Sequence, residues 1–228
     1  MKVQRVGLAA CPGLTGTVVV VDVLRSFTTA AVAFAAGARA IYAVEDAAQA
    51  RSLTEAIPGA LTVGSLPGGA SIPGFDFPNS PARLAAGELA GRALLMSTAG
   101  GMRGLLTSVN ADLVLAAGLV GAAATARLLE RLAPSRLTFV ITGIWTDRDG
   151  DEDHACADLI EALLADERVD PAPFEARVRA SDFGRRFTGG PDSPLPAADL
   201  EHCARANRFD FALRVRREGT SVVLVPER

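Results

Sequence analysis

Residues 17–23 read T-V-V-V-V-D-V, a β-branched run with no polar interruption before Asp22. Such a run fits a strand buried on both faces, because a half-exposed strand alternates apolar and polar positions. In the segment that follows, S-F-T-T-A-A-V-A-F-A-A-G at 26–37, Phe27, Ala30, Ala31 and Phe34 fall on one helical stripe. Ser26 suits an N-cap and Gly37 a C-terminal cap, so strand passes into helix at 22–26.

The same alternation repeats outward from this unit. A-I-Y-A-V at 40–44 reads as a strand, 46–56 as a short amphipathic helix closed by Pro58 and Gly59, and L-T-V at 61–63 as another strand. After a glycine- and proline-rich loop from Gly64 to Pro78, Asn79 or Ser80 can cap a helix that holds Pro81 in its first turn. Residues 93–97, 112–116 and 137–142 read as strands. A helix follows each, from near residue 101, over 121–133, and from Asp151 through Leu163. This regularity predicts an α/β protein, a three-layer α/β/α arrangement with a mainly parallel, mixed sheet. Beyond residue 169 prolines and glycines blur the pattern. There 198–206 reads as helical, and 209–215 with 220–225 as two β segments around R-R-E-G-T. With no internal repeat or linker, one domain over 1–228 is expected, 169–228 being its least legible part.

Composition narrows the chemistry. A chain of 228 residues that is 49% hydrophobic and 21% charged can bury a sizeable core. A net charge of −3 and 5% aromatic residues argue against a nucleic-acid partner, which calls for a basic face. Apolar runs stop well short of the roughly 18 residues of a membrane span, and no leader is evident, so a cytoplasmic protein without a membrane partner is expected. Cys11, Cys156 and Cys203 are widely separated, which suggests neither a disulfide framework nor a C-x-x-C site. Of the 23 basic side chains only Lys2 is lysine, at the extreme N-terminus. Schiff-base and P-loop lysine chemistry are thereby disfavoured, and arginine must carry any anion recognition.

Ligands of open α/β sheets bind beyond the carboxyl ends of the strands. The polar residues at those places are Asp22, Arg25 and Ser26, the Gly64–Ser80 loop with Asp76 and Asn79, Thr98 to Arg103, and Asp147 to Asp153. A carboxylate at Asp22 needs a cation, a cage of donors or a metal, and Arg25 is the obvious cation. Ser26, Thr28 and Thr29 can offer hydroxyls and free N–H groups to a phosphate, or simply cap the helix. Asp151, Glu152 and Asp153 suit a helix N-terminus through its dipole; the last two with Asp22 also supply oxygens that magnesium accepts. T-A-G-G-M-R at 98–103 is a glycine turn able to cradle an anion, and His154 could serve as an acid or base. His202 has no assigned role. G-x-G-x-x-G, G-x-S-x-G, H-E-x-x-H and Walker patterns are missing, which removes the fingerprints of dehydrogenases, serine hydrolases, zincins and P-loop enzymes.

Four segments in order, V-V-V-V-D-V-L-R-S-F-T-T, I-P-G-F-D-F-P-N-S-P, T-A-G-G-M-R-G-L and D-E-D-H-A-C-A-D-L-I, resemble the 2-phosphosulfolactate phosphatase family, the ComB-like proteins of coenzyme M biosynthesis. The resemblance runs from about residue 15 to 165, with D-L-E-H-C-A-R-A-N-R-F-D at 199–210 similar to the family's C-terminal segment. It implies a magnesium-dependent hydrolase converting (2R)-2-phospho-3-sulfolactate and water to 3-sulfolactate and phosphate, or acting on a related phosphorylated sulfo- or hydroxy-acid. By that resemblance Asp22, Arg25 and Arg103 are catalytic; Ser26, Asn79, Ser80, Gly100 and Gly101 bind substrate; and Asp22, Glu152 and Asp153 hold Mg²⁺. Because small α/β enzymes commonly pair, a homodimer is an expectation.

The resemblance is incomplete. G-S-L-P at 64–67 stands where the family reads G-G-E-R, Gly100 and Met102 replace an Asn and a Thr, and G-L-V-G at 118–121 lacks an Asn. Each change deletes a polar group expected in the pocket. The alternative reading is therefore a catalytically weakened relative that binds a small anionic metabolite or a protein partner.

Overall fold

A computed structural model describes residues 1–166 and 168–228. The strands, in chain order, are β1 (Lys2–Gly7), β2 (Thr17–Val21), β3 (Ala40–Ala43), β4 (Leu61–Ser65), β5 (Phe77–Pro78), β6 (Ala93–Thr98), β7 (Leu113–Ala117), β8 (Arg136–Ile141), β9 (Ile144–Trp145), β10 (Arg148–Asp149), β11 (Ala212–Glu218) and β12 (Ser221–Glu227). The α-helices are α1 (Ser26–Ala35), α2 (Ala47–Ala56), α3 (Pro81–Ala85), α4 (Gly101–Thr107), α5 (Ala122–Leu132), α6 (Asp151–Ala165), α7 (Ala172–Ala180) and α8 (Ala197–Cys203).

All five residues of β2 are buried, and the strand pairs in parallel with β8 on one side and β7 on the other. Its pleat explains the unbroken valine run. Val18 and Val20 enter one core with Phe27 and Leu105, whereas Val19 and Val21 enter another with Leu128 and Ile160. Helices α1 and α4 thus cover one face and α5 and α6 the other, which is the three-layer α/β/α arrangement expected from the alternating pattern.

The main sheet runs β1-β8-β2-β7-β11-β12-β3-β6-β4-β5. It is parallel within its two flanks, and the antiparallel β11–β12 hairpin joins them at the centre. The C-terminal segment, the least legible in the sequence, therefore ends in the middle of the sheet. Its strands lie at 212–218 and 221–227, shifted toward the C-terminus from the expected 209–215 and 220–225. Neither β1 nor α7 was expected.

Strands β2 and β6 are five places apart, and yet Ser26 Oγ, just beyond β2, lies 2.9 Å from Thr98 Oγ1 at the end of β6. Neighbouring strands twist by roughly 20–25°, so about 100° accumulates over five steps and wraps the sheet around α1 and α4. Helix α1 is accordingly buried from Ser26 to Phe34. This curl brings the carboxyl ends of β2, β4, β6 and β8 to one place.

Leu224, four residues from the C-terminus, is 1% exposed and sits in the same core as Ile41 and Leu94. Leu224→Ala should cost about 2–4 kcal/mol in chemical denaturation, the usual range for a core truncation. A cost below about 1 kcal/mol would show that the hairpin is peripheral to the fold.

Candidate active site

Asp22 follows β2 and is 7% exposed. Its Oδ1 accepts from the Ser26 N–H at 3.0 Å, and its Oδ2 accepts from Ser26 Oγ at 2.6 Å and the Gly101 N–H at 2.7 Å. One carboxylate thereby satisfies the leading N–H of both α1 and α4, where the dipoles favour negative charge. Such close approach excludes side chains. A Cβ on Gly100 would stand 2.9 Å from Asp22 Oδ2, and one on Gly101 would stand 2.7 Å from Ser26 Cβ.

Asp153, in the first turn of α6, makes the matching tie on the other side. Its Oδ1 accepts from Val23 N–H at 2.8 Å, and its Oδ2 from Thr142 N–H at 3.0 Å, Thr142 Oγ1 at 3.2 Å and Gly143 N–H at 2.8 Å. The loops after β2 and β8 are thus fastened to α6. Glu152 beside it is 2% exposed, and its Oε2 has no hydrogen-bond partner. Burial pushes the Glu152 carboxyl up to about 7, with Asp22 adding to the rise and Arg148 opposing it. Burial, then Glu152 and Asp22, push Asp153 upward as well.

A cleft of about 210 Å³ opens over these groups, lined by Asp22, Glu152, Asp153, Arg25, Asn79 and Arg148 among others. Asn79 is buried with an orphaned Oδ1. Arg148, on β10, lies with its guanidinium carbon 3.9 Å from the centre of the Phe183 ring and 5.4 Å from that of Trp145. Aromatic faces hold such a planar cation without neutralising it. Arg186 also lines the cleft and pairs with Asp147 at 2.7 Å.

Several expected roles change. Arg25 pairs not with Asp22 but with Asp199 of α8, at 2.6 Å, the two side chains being 3% and 0% exposed. Ser26 is the first residue of α1, with Arg25 at the N-cap position. Ser80 Oγ donates to Asp199 Oδ1 at 2.7 Å and accepts from Arg83 N–H, so it caps α3 outside the cleft. The Gly101 N–H is held by Asp22 and that of Met102 by Thr98 Oγ1, which leaves the glycine turn without these donors for an anion. Arg103 is exposed on α4, opposite buried Met102 and Leu105, and lines a neighbouring cavity instead of the cleft. Arg148, which lines the cleft, and Asp199, which pairs with Arg25, are positions that motif reasoning did not single out. D-R-D-G at 147–150 was legible as a strand end, but nothing local singled out its arginine.

The donor chemistry fits a hard cation: the cleft offers carboxylate, amide and hydroxyl oxygens, among them an orphaned carboxylate oxygen of Glu152. Among the described residues no group of three or more His, Cys, Asp or Glu side chains is placed to hold a metal ion. Magnesium does not need one, since it takes one or two carboxylates and completes its shell with water and phosphate oxygens. Three donors already occupy Asp153 Oδ2, whereas Glu152 Oε2 has none, so Glu152 is the freer of the two acids of α6.

A family model for 2-phosphosulpholactate phosphatase matches residues 7–185. A probable 2-phosphosulfolactate phosphatase of Bacillus subtilis (strain 168) is 30% identical over 202 residues, 88% of this chain and 87% of the relative. Proteins with the same description from Carboxydothermus hydrogenoformans and Deinococcus radiodurans are 35% and 31% identical, over 85% and 91% of this chain and 83% and 87% of theirs.

Two stability measurements probe this geometry. Asp199→Ala leaves the buried Arg25 guanidinium unpaired and should cost about 3–5 kcal/mol in denaturant unfolding, whereas a change within about 1 kcal/mol would deny the pair its structural role. Folded Glu152 keeps its proton up to about pH 7, while the unfolded group releases it near 4.5. The native state then binds more protons across that window, and stability falls as pH rises through it. In metal-free buffer Glu152→Gln should remove up to roughly 3 kcal/mol of this decline; an unchanged pH dependence would contradict the assignment.

Proposed function

The chain belongs to the 2-phosphosulpholactate phosphatase family, and on that premise we propose that it hydrolyses a small phosphorylated sulfo- or hydroxy-acid in the Asp22 cleft with the aid of Mg²⁺. The observation that carries this reading is the buried, unpartnered Glu152 Oε2 in a cleft shared with Asp22 and Arg148. A cytoplasmic location, a homodimer and a place in coenzyme M biosynthesis go with the same proposal.

Asp22 and Glu152 would hold the cation. When bound, it supplies charge against the phosphoryl oxygens and lowers the pKa of a coordinated water. Arg148, held between Phe183 and Trp145, meets the equatorial oxygens with a planar, permanent charge. Arg25, immobilised by Asp199, adds a second guanidinium at the cleft wall. Asn79 offers an amide whose Oδ1 has no other partner and so can orient a substrate hydroxyl or amide. Three donors on the Asp22 carboxylate lower its nucleophilicity, which favours water over Asp22 as the attacking group.

A second reading, an anion-binding relative without turnover, draws support from Leu66 and Pro67, apolar residues in the cleft wall where polar groups are expected. Phosphate release from 2-phosphosulfolactate and a panel of small phospho-acids separates the two. Turnover stimulated by Mg²⁺ is expected, falling about 10²–10³-fold in Arg148→Ala, the scale of losing one charge-stabilising group, and by more in Asp22→Ala. Release that is indifferent to Mg²⁺ and to both substitutions would refute the proposal. Phosphate binding without release would establish the second reading.

A further inference from the structure

We infer that Arg186 determines specificity in the cleft by receiving the acid group of the substrate, carboxylate or sulfonate, in exchange for Asp147; the inference rests on the phosphatase reading above. A phosphorylated acid brings at least two anions into one cavity of about 210 Å³. The second anion needs a cation other than the one that meets the phosphoryl oxygens, since a charge taken out of water must be paired. Among the described residues three arginines line the cleft: Arg25, Arg148 and Arg186.

Their surroundings give them different tasks. Arg25 is paired with Asp199, and with these side chains 3% and 0% exposed neither can leave without stranding a buried charge. Arg148 acts on the Glu152 carboxyl, which puts it at the carboxylate end of the cleft, beside the proposed seat of the phosphoryl group. The guanidinium carbon of Arg186 lies 5.8 Å from the centre of the Phe183 ring, the same ring that Arg148 covers at 3.9 Å. The two cations are therefore neighbours around one aromatic side chain, within reach of two anions on one small molecule.

Arg186 is also the arginine that can change partner. Its Nη1 donates to Asp147 Oδ2 at 2.7 Å and its Nη2 to the Asp147 carbonyl at 3.1 Å. The Arg186 and Asp147 side chains are 41% and 61% exposed. Pairs this exposed add little stability, because water solvates a released carboxylate almost as well. An incoming acid group can thus replace Asp147 Oδ2 on Nη1 while the bond to the carbonyl keeps the guanidinium in place. No proton moves; one anion leaves and another arrives. The wall from Leu66 to Gly69 carries no charged side chain and offers no rival cation.

The test compares three esters that add one acid group at a time: isopropyl phosphate, 2-phospholactate and 2-phospho-3-sulfolactate. With Mg²⁺, kcat/KM should favour the acid-bearing esters over isopropyl phosphate. Arg186→Gln should cut that preference about 10–100-fold, chiefly through KM, the scale of losing one charge-assisted hydrogen bond. Arg186→Lys keeps the charge without the planar fork and should retain part of the preference. Asp147→Asn removes the competing carboxylate and should raise it about 2–5-fold, the scale of an exposed ion pair. A preference that falls in Arg186→Gln supports the inference, and the ester at which it falls tells carboxylate from sulfonate. A preference that does not rise in Asp147→Asn overturns the exchange of partners. Turnover without any preference, with one that survives Arg186→Gln, or with an equal loss on all three esters overturns the inference and leaves the phosphatase reading intact. If no ester is hydrolysed, calorimetric titration with the same three reads the preference in Kd. An acid preference lost in Arg186→Gln then supports the inferred seat and refutes the phosphatase reading, whereas equal affinities overturn both.

Discussion

The Asp22 carboxylate is the fixed point of the molecule. It stands where an apolar strand ends and receives the leading N–H groups of two helices, α1 and α4, that cover the same face of a curled sheet. A carboxylate at 7% exposure is costly unless donors surround it, and three do so here. Asp153 repeats the device between β2, β8 and α6. Together they leave three acidic groups within one cleft. Arg25 is neutralised by Asp199, so Arg148 is the cation that acts on Glu152. Burial is the main reason that Glu152 holds its proton more tightly, and the negative charge of Asp22 adds to it.

Geometry follows from the sheet. Two parallel flanks joined by an antiparallel hairpin would place their carboxyl ends on opposite edges if the sheet were flat. Accumulated twist turns them toward each other, and the hydroxyls of Ser26 and Thr98 meet across the seam. The cleft and the neighbouring cavity lie on either side of that seam, which is why residues after β4 and β6 line both.

The elements around β2 were legible because burial on both faces leaves a mark in composition: four consecutive valines can satisfy two cores only in a central strand. Asp22 was legible for the converse reason, a charge in an apolar run. Pairing was not legible. Arg25 lies three residues from Asp22, and yet it bonds Asp199, 174 positions away, since sequence proximity says nothing about where a long side chain is drawn by a buried carboxylate. Arg103 and Arg148 illustrate the same limit. Both follow strands, but the helical phase of α4 buries Met102 and Leu105 and turns Arg103 outward, whereas the short β9–β10 hairpin carries Arg148 back over the cleft between two aromatic rings. The glycine turn misled for a local reason: its N–H groups are needed inside the protein, by Asp22 and Thr98.

Of the replacements that set this chain apart from the motifs expected of its family, Leu66 and Pro67 fall in the wall common to the cleft and its neighbouring cavity, and Gly100 lines the cleft. The proposed hydrolysis depends on the carboxylates of the cleft holding a cation. Diffraction from crystals soaked in Mn²⁺, recorded to use the anomalous signal of manganese, addresses that directly. The account predicts a single strong peak in the cleft with Asp22 and Glu152 oxygens at coordinating distance, about 2.1–2.2 Å. A cleft without manganese at saturating concentration, or manganese bound elsewhere with Glu152 Oε2 still unpartnered, would contradict it.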